Sequence, residues 1–250
     1  MIKTKPIRYD GIAEWYAQQI PDSRDRHDTI VRLLGPGEGL CLDLGCGPGQ
    51  DLAAIAGTGR RPVGLELSGD QLRIARQSGS AVLRQAQDTM SSGPSAGSGP
   101  STGSGHEWLV QGDAECLPYA DGVFPTVVAL WVSTDIDDFA STVREVARVL
   151  QPGGRFVFYG VHPCFNGPCV ENSDDGARIV HPTYREAKRH VDSPWWGRDG
   201  IRRRVGGMRH LPLAELLTVI IDTGLHLSTV EEPGDDPIPH ALVLVADKPA

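Results

Sequence analysis

The stretch LDLGCGPGQ, Leu42 to Gln50, decides the fold. An apolar run from Leu40 to Leu44 reads as a buried strand, and the chain then sets three glycines, Gly45, Gly47 and Gly49, at alternate positions. Glycine there reserves backbone conformations that side chains forbid. With a helix from Gln50 to Ala56 behind it, the turn becomes a place where backbone N–H groups face a ligand that approaches closely. The dinucleotide fingerprint asks for G-x-G-x-x-G, but Gln50 stands where its third glycine belongs. The spacing is G-x-G-x-G, which argues against a pyrophosphate.

Working outward, strands and helices alternate. Pro62 to Glu66 reads as a strand, Gly69 to Gln77 as a helix, Glu107 to Gln111, Thr126 to Trp131 and Arg155 to Tyr159 as further strands, with a helix from Asp137 to Leu150. Such alternation predicts an α/β protein with a doubly wound, largely parallel sheet covered on both faces. Upstream, residues 1–34 hold two short helices interrupted at Pro21. Downstream, a helix from Leu213 to Asp222 precedes two strands, Leu225 to Val230 and Ala241 to Ala246, close enough to form an antiparallel hairpin. The whole chain, 1–250, is expected to be one domain.

Two segments break the alternation. Ser91 to Gly105, SSGPSAGSGPSTGSG, has almost nothing to bury and reads as a flexible surface insertion. Residues 161–210 are rich in Pro, His, Arg and aromatics without clear periodicity, and they follow the fifth strand. Ligands in open α/β sheets sit beyond the strands' carboxyl ends, so this segment is expected to be a lid or substrate pocket.

Composition narrows the partners. A net charge of -8 gives no footprint for nucleic acid, and the one basic cluster, Arg202 to Arg204, reads as a solvated strip. No run reaches the roughly 18 apolar residues of a membrane span, and the opening MIKTKPIRYD lacks a signal peptide's apolar core. Five cysteines without framework spacing suit reduced thiols. A cytoplasmic protein with a small neutral or cationic partner is expected, with no nucleic-acid or membrane partner; oligomeric state is left open.

Three acids then describe the ligand. Asp43 is awkward in an apolar strand unless it meets a positive or hydrogen-bonding partner. Glu66 ends the next strand, where a carboxylate accepts both ribose hydroxyls. Asp113, just past the third strand, is placed to accept from an exocyclic amine. Together they suit a ribose, an adenine and a positive charge, as in S-adenosylmethionine. Over roughly Tyr9 to Gly160 and the terminal hairpin, with LDLGCGPG, GLELS, GDAECLPYADGVF and REVARVLQPGGRFVF, the chain resembles the class I S-adenosylmethionine-dependent methyltransferases of small-molecule, natural-product type. The resemblance implies a Rossmann-like seven-stranded sheet ordered 3-2-1-4-5-7-6, with strand 7 antiparallel. It implies that Gly45, Cys46, Gly47 and Gly49 approach the methionine portion, Asp43 orients the loop or meets the amino group, Glu66 and the adjacent Leu67 meet the ribose, and Asp113 with Ala114 borders the adenine. Tyr16, like Tyr9, resembles the aromatics that close over the cofactor, and Trp131 is expected to border the donor.

Methyl transfer from a sulfonium releases a neutral product, S-adenosylhomocysteine, so positioning does much of the catalysis. A base helps only an acceptor whose proton is tightly held. His162 is the first candidate, followed by His181 and Tyr184 and then His190. Asp135 reads as the cap of the following helix. His162, Cys164, Cys169 and His181 have zinc-ligand chemistry but no tight metal-site spacing, and no metal is expected. Phe165, Tyr184, Trp195 and Trp196 bring aromatic surface to the lid. The alternative functions are a non-catalytic S-adenosylmethionine-binding or regulatory protein and a nicotinamide-dependent dehydrogenase.

Overall fold

The computed structural model describes residues 7–19, 24–78, 108–193 and 200–250. Pro21, the insertion at 91–105, and Trp195 with Trp196 lie outside the described residues. The chain divides into two compact units, Met1–Asp113 and Ala114–Ala250.

In the first unit, α1 (Ala13–Gln19) and α2 (Arg24–Leu34) precede β1 (Leu40–Leu44), α3 (Leu52–Gly57), β2 (Arg61–Glu66), α4 (helical residues 69–78) and β3 (Leu109–Gln111). β1 runs parallel to β2 and β2 to β3, and the register sets Leu44 opposite Leu65 and Glu66 opposite Gln111. The ends of three strands therefore fall together. β1 and β2 are buried along nearly their whole length, as parallel strands covered on both faces must be. Cys46, Leu52, Leu72, Ala75 and Leu109 form one apolar cluster that fixes the glycine turn to α3, α4 and β3. Each large side chain buried there contributes about 1.5–3 kcal/mol.

The second unit holds β4 (Phe124–Leu130), α5 (Phe139–Val149) and β5 (Leu150–Val161). The 161–210 segment follows, with β6 (Val170–Asn172), β7 (Arg178–Val180), β8 (Arg189–His190), α6 (Ile201–Arg204) and β9 (Met208–Arg209). After it come α7 (Leu213–Ile221), β10 (His226–Glu231) and β11 (Ala241–Asp247). β4 and β5 are parallel; β11 is antiparallel to β5 and to β10. The complete sheet is ordered β3-β2-β1-β4-β5-β11-β10, which is the expected 3-2-1-4-5-7-6 with its antiparallel strand. Among the described residues no helix is long and apolar enough to cross a membrane.

Three expectations change. α5 is capped by Asp138, whose carboxylate accepts from Ser141 N–H at 2.9 Å, and not by Asp135. β5 extends beyond 155–159 because its pairing with β11 continues from Arg155 to Val161. The 161–210 segment, which shows no periodicity, contains two small antiparallel pairs, β6 with β7 and β8 with β9. Strands of two or three residues are too short to write an alternating pattern.

Candidate active site

The first unit builds its site from the glycine turn. Gly45, Gly47 and Gly49 all take the left-handed region, with φ of 73°, 54° and 81°. Alternating left-handed residues swing the amides out of line, and the turn closes on β2: Gly45 N–H and Cys46 N–H both donate to Leu65 O, at 2.7 and 3.0 Å. Glu66 then ties the two loops, its carboxylate accepting from Gly47 N–H at 3.0 Å and Ser68 N–H at 2.9 Å. Two amides fix the direction of a buried carboxylate whose further lone pairs can take hydroxyls. The helix behind the turn is α3, which starts only at Leu52 and has six residues. Backbone amides, not a long helix end, shape this loop.

Asp43 is 1% exposed, and among the described residues its Oδ2 has no hydrogen-bond partner. Burial pushes its carboxyl well above the usual carboxylate range; Asp51 and Glu66 push the same way, and Arg26 opposes them. Arg26 reaches in from α2 to pair with Asp51 at 2.8 Å. A second buried acceptor, Gln71 Oε1, also lacks a partner and lies against Gly47, 3.1 Å from where a β-carbon would stand. The turn is thus surrounded by three carboxylates, one guanidinium and two orphaned acceptors. Buried acceptors without donors cost about 1–3 kcal/mol each, so the arrangement suits a ligand that brings N–H or O–H groups and positive charge. S-Adenosylmethionine, with its ammonium, sulfonium and ribose hydroxyls, fits.

Cys46 contributes through its backbone. Its thiol packs in the apolar cluster, and burial, followed by Asp43 and Glu66, pushes it well above the usual thiol range. Leu67 is held at its carbonyl, which accepts from Gln111 Nε2 at 3.1 Å. Asp113 is two residues beyond β3, after Gly112, whose N–H donates to Glu66 O at 3.0 Å. Ala114 is the next residue and opens the second unit. Tyr16 packs its ring 4.6 Å from that of Tyr9, and the adjoining Asp10 accepts from Ser68 Oγ at 2.6 Å. This pins the N-terminal segment to the turn after β2.

The second unit contributes the ends of β4 and β5. Trp131 follows β4 at φ 60°, an uncommon conformation for a bulky residue, while its N–H donates to Tyr159 O at 2.6 Å. Its indole lies 5.1 Å from the Tyr159 ring and stacks 6.1 Å from His240. Indole Nε1 is buried without an acceptor among the described residues. Past β5, His162 is 2% exposed and stacks on Phe165 at 4.6 Å. Its Nε2 lies 2.8 Å from Glu232 Oε1, and its Nδ1 accepts from Cys164 N–H at 3.1 Å. His181 Nε2 lies 3.0 Å from Glu171. Tyr184 hydroxyl accepts from Leu213 N–H at 2.9 Å and lies 3.5 Å from Cys164 Sγ. Burial, helped by Cys164, pushes the Tyr184 phenol upward. His162, His181, Cys164 and Cys169 thus face different partners, Cys169 standing 3.8 Å from His210 Nε2.

Residues 42–158 match the methyltransferase domain family. Over 163 residues it is 26% identical to the demethylmenaquinone methyltransferase of Lactiplantibacillus plantarum, covering 64% of this chain and 56% of that protein. Over 161 residues it is 30% identical to the ubiquinone/menaquinone biosynthesis C-methyltransferase of Desulfotalea psychrophila, covering 64% and 52%. The chain spans about half the length of these curated relatives. An S-adenosylmethionine dependent methyltransferase from Mesorhizobium loti superposes with a TM-score of 0.63 at 23% identity, over 96% of this chain and 99% of that one, a likeness of fold.

Several residues around the glycine turn and the loop after Asp113 are invisible to motif reading. Arg26, Asp51, Ser68 and Gln71 have ordinary helix or turn identities; only folding sets them around the glycine turn. Arg148 explains why REVARVL accompanies ECLPYADG: it bonds Glu145, Asp121 and the carbonyls of Leu117 and Tyr119, while Glu145 accepts from Leu117 N–H at 2.7 Å. The loop after Asp113 is thereby held to α5.

Proposed function

We propose that this protein transfers the methyl group of S-adenosylmethionine to an oxygen, nitrogen or carbon nucleophile of a small molecule. The observation that carries the reading is the shortage of donors at the glycine turn, where Asp43 Oδ2 and Gln71 Oε1 are buried acceptors without partners. A cationic, donor-bearing ligand relieves both costs. When bound, the cofactor supplies a methyl on cationic sulfur, which leaves as a neutral thioether. The glycine amides hold its methionine portion, Asp43 and Gln71 take its ammonium, Glu66 beside Leu67 takes the ribose hydroxyls, and Asp113 with Ala114 borders the adenine. Tyr16 closes over it, and Trp131 borders the methyl. In this reading residues 161–210 shape the acceptor side. Names of relatives that act on quinones support a small-molecule acceptor, and five free cysteines agree with a reducing cytoplasm.

The candidate bases read better as positioning groups. In His162, Nδ1 already accepts and Nε2 faces Glu232, so accepting a substrate proton requires breaking one contact. His181 is turned to Glu171, and the raised Tyr184 phenol stays protonated at neutral pH. The acceptor's proton must then be lost before or after the transfer, to water.

Calorimetric titration with S-adenosylhomocysteine tests cofactor binding, and its release from S-adenosylmethionine across phenols, enols, amines and quinols tests turnover. Absence of binding overturns the reading. Binding with no turnover on any acceptor favours a non-catalytic cofactor-binding protein.

A further inference from the structure

A narrow, open cleft lies in the second unit, lined by Ser133 and Thr134 after β4, Val161 and Pro163 at the end of β5, and Arg209. Pro168, Leu211 and Leu216 make its wall largely apolar. It occupies the carboxyl ends of two parallel strands, where open α/β sheets place ligands.

Arg209 is the unusual group. It pairs in register with Arg189 across the β8–β9 ladder, yet the two guanidinium groups differ completely. Arg189 Nε bonds Asp137 at 2.8 Å, and its other nitrogens bond Gly207 O and Asp135 O. Arg209 Nε is buried with no acceptor, and among the described residues no carboxylate pairs with its side chain. Its backbone is fixed, the N–H donating to Thr134 O at 2.7 Å. A guanidinium is always charged and cannot escape by losing a proton. Two other polar liners are committed: Asn166 donates to His240 O and accepts from Gly167 N–H, and His210 Nε2 donates to Tyr184 O. Burial pushes the His210 imidazole below its ordinary value, so it stays neutral. Arg209 is the cation left for a ligand.

We infer that this cleft is the acceptor subsite and that Arg209 selects a small, largely apolar acceptor bearing an anionic oxygen, such as a carboxylate, enolate or phenolate. The inference rests on the methyltransferase reading and gives its missing base a reason. An acceptor that arrives as an anion brings its own electron pair. A bond forms from that oxygen, or from a carbon conjugated with it, to the methyl carbon. The sulfur–methyl bond breaks with its electrons going to sulfur, and the anion and sulfonium charges cancel. A carbon acceptor then gives up its proton to water. Where the anion is a carboxylate held by Arg209, it orients a nucleophile elsewhere on the molecule.

The test compares naphthoate with neutral naphthamide, each titrated calorimetrically into protein saturated with S-adenosylhomocysteine. Naphthoate is expected to bind at least about tenfold more tightly, as charge-assisted hydrogen bonds warrant. Arg209→Gln should abolish the preference, Arg209→Lys should retain part of it, and Arg144→Gln, on the exposed face of α5, should leave it whole. Each variant's affinity for S-adenosylhomocysteine reports whether it folds. Equal binding of the two probes, binding of neither, or a preference that survives in Arg209→Gln overturns the inference while cofactor binding leaves the methyltransferase reading standing. Loss of cofactor binding in the wild-type chain overturns both.

Discussion

The glycine turn and the ends of β4 and β9 differ in which buried polar atoms lack partners among the described residues. Around the glycine turn the orphans are acceptors, Asp43 Oδ2 and Gln71 Oε1; in the second unit, Trp131 Nε1 and Arg209 Nε are donors. Unpartnered buried groups are rare in folded proteins and call for a specific cause. A cation-seeking region and an anion-seeking region in one chain match the two partners of a methyl transfer, a sulfonium donor and an electron-rich acceptor. Neither imbalance alone would say so much. The acidic turn could suit any cationic nucleoside, and the arginine cleft any small acid.

The largest effect is expected at Glu66, whose carboxylate serves both the turn and the ligand. Glu66→Ala strands the Gly47 and Ser68 amides, at about 1–3 kcal/mol each, and removes the ribose acceptor. Affinity for S-adenosylhomocysteine should fall by more than about a hundredfold, and retention of affinity within a factor of about three would separate the turn from cofactor binding. Next comes backbone geometry. Gly49→Ala puts a side chain at φ 81°, with its β-carbon 3.1 Å from Ala75 Cβ, and should destabilise by about 1–3 kcal/mol. Gly57→Ala, helical and with open space around its β-carbon, should be neutral or stabilising by up to about 1 kcal/mol. Thermal melts of the pair should move in different directions.

Asp43→Asn alters the donor shortage directly, since its amide brings donors to an acceptor-rich place. The wild-type carboxyl has a folded-state value raised above its unfolded one, chiefly by burial. Over that interval the folded state holds a proton that the unfolded state has lost, so wild-type stability declines as pH rises from about 3.9 toward the raised value. The variant should lack that decline and melt higher than wild type at neutral pH without ligand. Its affinity for S-adenosylhomocysteine should drop by about tenfold. Parallel stability curves in the two proteins would mean that Asp43 titrates alike in both states.

The same asymmetry explains what could be read in advance. The proposed donor side could be read in advance because G-x-G-x-G and the strand-end acids are local in sequence, and parallel register brings Asp43, Glu66 and Asp113 to neighbouring ends almost automatically. The strand order followed from the resemblance and the hairpin spacing. The proposed acceptor side could not be read in advance. Arg209 is one arginine in an irregular stretch, and only pairing with Arg189 reveals that one guanidinium is satisfied and its neighbour is not. Asp135 and Asp138 are both plausible caps by composition; the turn after β4, where Trp131 takes a left-handed conformation, delays the helix until Phe139.

The smallest effect is expected at Glu232, and it decides how His162 acts. Glu232 is 51% exposed, so its contact with His162 is screened and contributes no more than about 1 kcal/mol. Glu232→Gln preserves a side-chain acceptor at the same place, and the buried imidazole keeps its Cys164 N–H contact and its stacking on Phe165. If His162 only positions the loop beyond β5, the variant should melt within about 1 kcal/mol of wild type and show an unchanged pH profile of S-adenosylhomocysteine release. A base, by contrast, gains positive charge during turnover and leans on the carboxylate beside it. Neutralising that carboxylate would then shift the acid limb of the profile to lower pH and depress the rate. Such a shift would restore His162 as the proton acceptor and remove the need for an acceptor that arrives already ionised.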